Sequence, residues 1–263
     1  MIFETLFISL FMTYNKHYSK LGNWFFKHRG TLPVVVLIVG IIVKYFEVAN
    51  YGVPGFWKSG IIWSLSLACL GVGIRACTVG QTPKGTSGRN TDQQLAEQLN
   101  TTGIYSMVRN PLYLGNFFVW LSIALLASNW IFTLVFILLF TGFYQSIIKT
   151  EEAFLTKKYN EKYEEWRSQT PMFLPSWRNY KAYQHPFNWR KVIRKEKNGV
   201  AAIGLCFWLF TLPELFVLDQ MNPENHFRSH FVWYAVAFLS GCYYLTIKLL
   251  IKYSHFLDNK STK

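Results

Sequence analysis

Pro111-Leu-Tyr-Leu-Gly-Asn-Phe-Phe-Val-Trp-Leu-Ser-Ile-Ala-Leu-Leu-Ala-Ser128, returning through Asn129 into Trp130-Ile-Phe-Thr-Leu-Val-Phe-Ile-Leu-Leu-Phe-Thr-Gly-Phe-Tyr-Gln-Ser-Ile-Ile148, decides the fold of this chain. Pro111 has no backbone N–H and pushes Asn110 out of the helical region, so a helix starts at Pro111 with Asn110 as its N-cap. At about 1.5 Å per residue, Pro111 to Ser128 covers roughly 27 Å, most of a bilayer core. The turn at Ser128 and Asn129 leaves room only for an antiparallel hairpin. Before it stands the polar loop Leu99-Asn-Thr-Thr-Gly-Ile-Tyr-Ser-Met-Val-Arg109, and after it Lys149-Thr-Glu-Glu152. A loop bearing glycine and asparagine therefore meets a helix N-terminus at a membrane surface.

Four further apolar spans surround the hairpin: Leu32 to Ala49, Trp57 to Val79, Gly199 to Leu218 and Ser229 to Ile251. With 51% hydrophobic and 18% aromatic residues the composition is that of a membrane protein, so the expected fold class is all-α, a polytopic integral membrane protein of about six transmembrane helices. Lys44 and Glu47, near the end of the first span, are read as reaching the interface. The second span carries Ser64, Ser66, Ala68, Gly71, Gly73 and Ala76, small residues that allow close helix contact. Cys69, Cys77, Cys206 and Cys242 form no short-spaced pair, which points to neither a metal site nor a disulfide framework but to small buried filler. The net charge of +13 favours anionic lipid headgroups over nucleic acid, for which no binding pattern is present.

Orientation follows from the lysines and arginines. Residues 149 to 198 carry twelve, residues 15 to 31 carry four and residues 80 to 112 carry three, whereas the opposite connections carry only Lys58 and Arg228. Six spans place every basic segment on one side, so both termini and the motif loops are expected to be cytoplasmic. Met1 to Tyr14 is apolar but lacks a basic leader and a cleavage site, and fits an interfacial helix better than a signal peptide. Glu152, Leu155, Tyr159, Tyr163 and Trp166 recur at spacings of three and four, which extends the fourth span as an amphipathic surface helix ending at Thr170-Pro171. Arg190 to Lys197 reads as a solvated or headgroup-binding face.

Chemistry converges on one membrane face. Arg109 precedes the third span, while Lys149, Glu151 and Glu152 follow the fourth, and the hairpin returns both groups to the same side. They are either a site or positive-inside anchors with their surface ion partners.

Gly103-x-Tyr105-x-x-Val-Arg109-Asn-Pro111-x-Tyr113-x-Gly115, then Glu151-Glu152-x-x-Leu155, Tyr159-x-x-x-Tyr163 and Thr170-Pro-x-x-x-Pro175, resembles the isoprenylcysteine carboxyl methyltransferase and phospholipid methyltransferase group. The match covers about residues 88 to 175. It implies a single membrane-embedded methyltransferase domain over 1–263, with 88–175 as cofactor-binding core and 199–251 as an additional C-terminal helix pair, using S-adenosylmethionine. By that resemblance Gln98, Leu99 and Asn100 with Tyr105 lie along the cofactor. Asn110, Pro111, Leu112 and Tyr113 enclose it at the helix start, and Glu151 meets its polar end. Free amides at a helix N-terminus suit a carboxylate, a carboxylate suits ribose hydroxyls or an ammonium, and tyrosine faces suit adenine or a sulfonium.

The chain departs from the family at two positions: Asn110 stands where the family usually has histidine, and Ile147 where the prenylcysteine enzymes place a carboxylate-binding arginine. Lys149 is the candidate replacement. Upstream, Gly85-Thr-Ser-Gly-Arg89-Asn90 has the residue types of a phosphate cradle without Walker spacing, or of a plain flexible loop. With Ile147 and the net charge, it resembles the bacterial branch that methylates the 1-phosphate of lipid A, and so implies a bacterial inner-membrane location. The expected activity is O-methylation of a lipid phosphate, with Arg109 or Arg89 steering the anion, Arg89 and Lys149 as substrate contacts, and catalysis resting on alignment. The alternatives are a prenylcysteine carboxylate or a phosphatidylethanolamine amine as acceptor. In another class stands a scaffold or transporter in which Glu47 and Glu214 mark an ion path.

Overall fold

In this computed structural model residues 24–52 (apart from 26 and 29), 56–83, 98–219 and 226–257 are described. The apolar runs become the helices α1 (Leu32–Tyr51), α2 (Phe56–Gly80), α4 (Pro111–Leu125), α5 (Trp130–Tyr159), α7 (Trp189–Leu209) and α9 (His226–Tyr253). Shorter helices are α3 (Ile104–Met107), α6 (Glu161–Gln169) and α8 (Leu212–Asp219). Gly103 and Lys181 form an isolated bridge, and no strand occurs among the described residues. The all-α, polytopic reading therefore stands.

Five of these stretches are long and apolar enough to cross a membrane: Pro33–Tyr51, Gly60–Gly80, Trp130–Tyr159, Trp189–Val217 and Phe231–Tyr253. The sixth, α4, is shorter than read from the sequence. It ends at Leu125 because Leu126 to Ser128 tighten into a turn and Ser128 takes a left-handed φ of 57°. Its 15 residues rise about 22 Å, less than a bilayer core. Asn129 then caps α5 by accepting the N–H of Phe132 at 2.7 Å, so the hairpin itself is as expected.

The fifth span also differs. It begins at Trp189, ten residues before Gly199, and breaks between Leu209 and Leu212 because Pro213 lacks an N–H and its ring conflicts with the carbonyl four residues back. The stretch Arg190 to Lys197 is consequently the first part of a helix, with Arg190, Arg194, Lys195 and Lys197 partly exposed and two of its residues turned inward. Lys191 is buried, donating to the Thr82 carbonyl at 2.6 Å and the Pro83 carbonyl at 3.2 Å, and Glu196 is buried as well.

Small residues set the central crossing. Ser64, Ala68 and Gly71, spaced four and three apart, are buried, while Ser66 and Gly73 on the other side of α2 are exposed. A Cβ on Gly71 would lie 2.6 Å from the Gly115 carbonyl and 2.8 Å from the Val119 nitrogen, backbone atoms that cannot step aside, so α2 and α4 approach as closely as glycine permits. Around the hairpin, Phe136, Phe140, Tyr144, Ile147 and Ile148 of α5 make one apolar core, and Ile123, Leu126, Phe207 and Phe210 make a second that joins α7.

Lys44 does not reach an interface. It is fully buried, with its ammonium 2.9 Å from the Glu214 carboxylate and donating to Ser128 Oγ at 3.0 Å. Glu47 accepts from Asn129 Nδ2 at 2.6 Å. Both carboxylates are thus tied to the hairpin turn. Of the cysteines only Cys206 is buried; Cys69, Cys77 and Cys242 lie on outward helix surfaces. Met1 to Tyr14 lies outside the described residues.

α5 continues past its apolar part to Tyr159, turns at Asn160 (φ 47°) and resumes as α6, whose Tyr163 and Trp166 are buried. This matches the amphipathic extension, with a break at Asn160 that the periodicity does not show. Reporter fusions after Asn129 and Asn222 are expected on the outer side and fusions after Lys84 and Lys181 on the inner side. A reporter after Asn129 that reads as inner would show that α4 does not cross.

Candidate active site

The polar loop folds over the basic end of the helices because the segment after α6 is stitched onto it. Arg109 N–H donates to the Pro171 carbonyl at 2.9 Å, Ser176 N–H to Met107 at 2.9 Å and Gly103 N–H to Lys181 at 2.8 Å. The Ser106 hydroxyl donates to the Gly103 carbonyl at 2.6 Å and accepts from Lys181 N–H at 2.8 Å. Gly103 has φ +61°, and any Cβ there would fall 1.8 Å from the Tyr183 ring, so this position needs glycine on both counts.

Under this cover lies a polar cleft lined by Gln98, Leu99, Asn100 and Tyr105 from the loop, Thr78 from α2, and Tyr183 and His185 from the returning segment. Four cofactor residues read from the sequence thus share one cleft. Burial, reinforced by the Glu151 carboxylate, pushes the Tyr105 phenol above its ordinary range, so it stays a neutral donor at physiological pH.

Glu151 accepts a hydrogen bond from the Tyr113 hydroxyl at 2.7 Å, joining the two arms of the hairpin. Pro111 is at the helix start as expected, and Leu112 beside it is half-buried. Asn110 occupies the N-cap position, but its side chain makes no cap and instead donates to the Met172 carbonyl at 3.3 Å. The first amides of α4 therefore have no side-chain cap, and a helix start in that state favours an anionic acceptor.

Arg109 is arranged differently from the sequence reading. Its Nε lies 2.9 Å from Glu152 Oε1, off the line of a hydrogen bond, and its Nη1 donates to the carbonyls of Arg167 and Thr170 at 3.0 and 3.1 Å. These contacts fasten the end of α6 to the loop, so its guanidinium is engaged by protein groups and not presented to the cleft. Lys149 is exposed on α5, and Ile147 is fully buried in the apolar core. Arg89 and the Gly85 to Asn90 loop lie outside the described residues.

A polar chain within the helices escaped the sequence reading. Arg75 of α2 forks onto Glu196 of α7, with Nε and Nη2 each 2.8 Å from a carboxylate oxygen, and its Nη1 donates to Asn116 of α4. Asn116 Nδ2 donates to the Tyr144 hydroxyl at 3.4 Å, and the Tyr144 ring lies 4.9 Å from that of Tyr113. One signal was available: Arg75 is an arginine inside an apolar span, which is costly unless it serves a purpose. Glu196 was hidden among the basic residues around it.

The helices and the capped cleft define a polytopic membrane protein with a polar site at one end of an antiparallel hairpin. Comparison with known proteins places it: a family model described as "Phospholipid methyltransferase" matches residues 61–162. The chain is 36% identical over 118 residues to the protein-S-isoprenylcysteine O-methyltransferase of Schizosaccharomyces pombe, covering 43% of this chain and 48% of that one. It is 30% identical to the cobalt-zinc-cadmium resistance protein CzcN of Cupriavidus metallidurans, covering 59% and 67%. With the nickel-cobalt-cadmium resistance protein NccN of Alcaligenes xylosoxydans xylosoxydans identity is 27%, covering 60% and 69%. The chain belongs to the isoprenylcysteine and phospholipid methyltransferase family of membrane proteins. The matches span about half the length of the fission yeast relative and about two thirds of the other two. No solved structure matches.

Proposed function

We propose that this chain is an S-adenosylmethionine-dependent methyltransferase acting on an anionic oxygen of a membrane-resident head group. The observation that supports it most is that Gln98, Leu99, Asn100 and Tyr105 line one polar cleft, beside a hairpin whose arms the Tyr113–Glu151 hydrogen bond joins, in a chain of this family. The residues present fit the cofactor. Gln98 and Asn100 offer amides, the uncapped start of α4 suits its carboxylate, and Glu151 suits its ribose hydroxyls or ammonium. When bound, S-adenosylmethionine supplies a methyl group already activated by positive sulfur.

A carboxylate is fully ionised near neutral pH and a phosphate monoester nearly so, so neither acceptor needs a strong base. The chain's own task is then to align the acceptor and to exclude water, which the stitched cover over the cleft serves. An amine acceptor needs a base and is disfavoured by a face this rich in positive charge. Between the oxygen acceptors, the fission yeast relative supports a prenylcysteine-type carboxylate. A lipid phosphate such as that of lipid A is the second reading, favoured by the density of basic residues on the same face.

The test is transfer of a labelled methyl group by the full chain in nanodiscs to N-acetyl-S-farnesylcysteine or to lipid A. A labelled ester that alkali releases as methanol from the first is the expected result. Label on the lipid A phosphate instead supports the second reading, and label on neither removes both acceptors.

A further inference from the structure

Arg75 stands three residues before Thr78, which lines the cleft, and so lies about one helical turn further into the apolar layer. It reaches across α4 only because position 115 has no side chain: a Cβ on Gly115 would be 2.6 Å from Arg75 Cγ. A guanidinium has five N–H donors. Among the described residues, Glu196 takes two of Arg75's in a side-on fork and Asn116 takes a third, which leaves two. The Arg75 side chain is 21% exposed while that of Glu196 is 5% exposed, so the arginine is the more accessible member of the pair. Through Asn116, Tyr144 and Tyr113 it belongs to the same run of side chains as Glu151.

We infer that Arg75 is the positioning residue for the anionic group of the methyl acceptor, which it holds with the two N–H donors that Glu196 and Asn116 leave over. This rests on the methyltransferase reading above. The pairing with Glu196 matters chemically. An unpaired guanidinium would draw electron density from the attacking oxygen, whereas one already matched by a carboxylate orients that oxygen and leaves its nucleophilicity largely intact. Glu196 also holds the fork in one plane, which a directional grip on a carboxylate or phosphate requires. The residue that orients Arg75 lies on α7, so the helices beyond the family-matched region contribute to the acceptor site.

The test uses the full chain in nanodiscs saturated with S-adenosylhomocysteine and measures binding of N-acetyl-S-farnesylcysteine, its neutral carboxamide and lipid A. Arg75→Lys keeps the charge opposite Glu196 and loses the fork. It is expected to weaken binding of the anion that the wild type prefers by tenfold or more, with carboxamide binding and S-adenosylhomocysteine affinity within twofold. The double variant Arg75→Gln/Glu196→Gln removes both charges together, orphans neither, and should show the same pattern if the single variant folds poorly. Preference for the carboxylate or for lipid A identifies the source of the anion. Unchanged anion affinity in the variants, parallel loss of carboxamide and S-adenosylhomocysteine binding, or a wild type that binds S-adenosylhomocysteine but neither anion overturns the assignment. A wild type that does not bind S-adenosylhomocysteine overturns the methyltransferase reading together with it.

Discussion

Glu214→Gln is expected to destabilise the folded protein by about 3 to 5 kcal/mol, because it removes the charge opposite an ammonium that has no access to water. Lys44 is 0% exposed and Glu214 3% exposed, and they meet at 2.9 Å between α1 and α8. Lys44 also donates to Ser128 at the hairpin turn, so the pair fixes α1, the turn and the broken α7–α8 span to one another. The substitution leaves Lys44 facing Ser128 and the more distant Glu47, which soften the loss without replacing the partner. Lys44→Met with Glu214→Leu should recover most of the stability, since a matched apolar pair needs no compensation. Thermal unfolding in detergent, followed by tryptophan fluorescence, measures both. A Glu214→Gln protein as stable as the wild type would show that the pair is not buried in the folded state. Such an anchoring role also argues against Glu214 as a station on an ion path.

Glu151→Gln should weaken binding of S-adenosylmethionine and its demethylated product by about 1.5 to 3 kcal/mol, roughly ten- to a hundred-fold, the usual worth of a charge-assisted hydrogen bond. The amide can still accept from the Tyr113 hydroxyl, which now donates to Glu151 at 2.7 Å, so the hairpin should stay closed and the loss should be electrostatic. Unchanged unfolding with weakened binding, both measured on one preparation, separates this from a folding defect. Unchanged affinity would remove Glu151 from the cofactor site.

Much of this was legible from residue types whose physical consequences are local. Pro111 sets a helix start wherever it falls, and the turn after Ala127 admits only a hairpin, so the return of Glu151 to the level of Tyr113 followed from the sequence. Gln98, Leu99, Asn100 and Tyr105 were placed together by the family resemblance, whose ordered motif contains Tyr105 and whose match extends upstream over the other three. What stayed hidden depends on contacts between distant segments. Asn110 looked like a cap because its neighbours are local, yet its amide is claimed by Met172, sixty-two residues on. Arg109 looked available because its partners, Glu152 and the carbonyls at the end of α6, arrive only when α5 and α6 fold back. Lys44 near a span end reads as a residue that reaches water, and only Glu214 on a remote helix turns it inward. The Arg75–Glu196 fork bridges 121 positions and hangs on two glycines that bring α2 against α4. The early start of α7 was masked by its basic residues, among which Lys191 and Glu196 turn inward.

If the capped cleft and the hairpin carboxylate form one site for a methyl donor, the protein binds the donor's demethylated product there. Calorimetric titration of S-adenosylhomocysteine into the purified full-length protein, in detergent and again in nanodiscs, tests it most directly. Saturable binding to one site per chain is expected, weakened at least tenfold by Glu151→Gln. Folded protein that binds neither S-adenosylhomocysteine nor S-adenosylmethionine in either medium would contradict it.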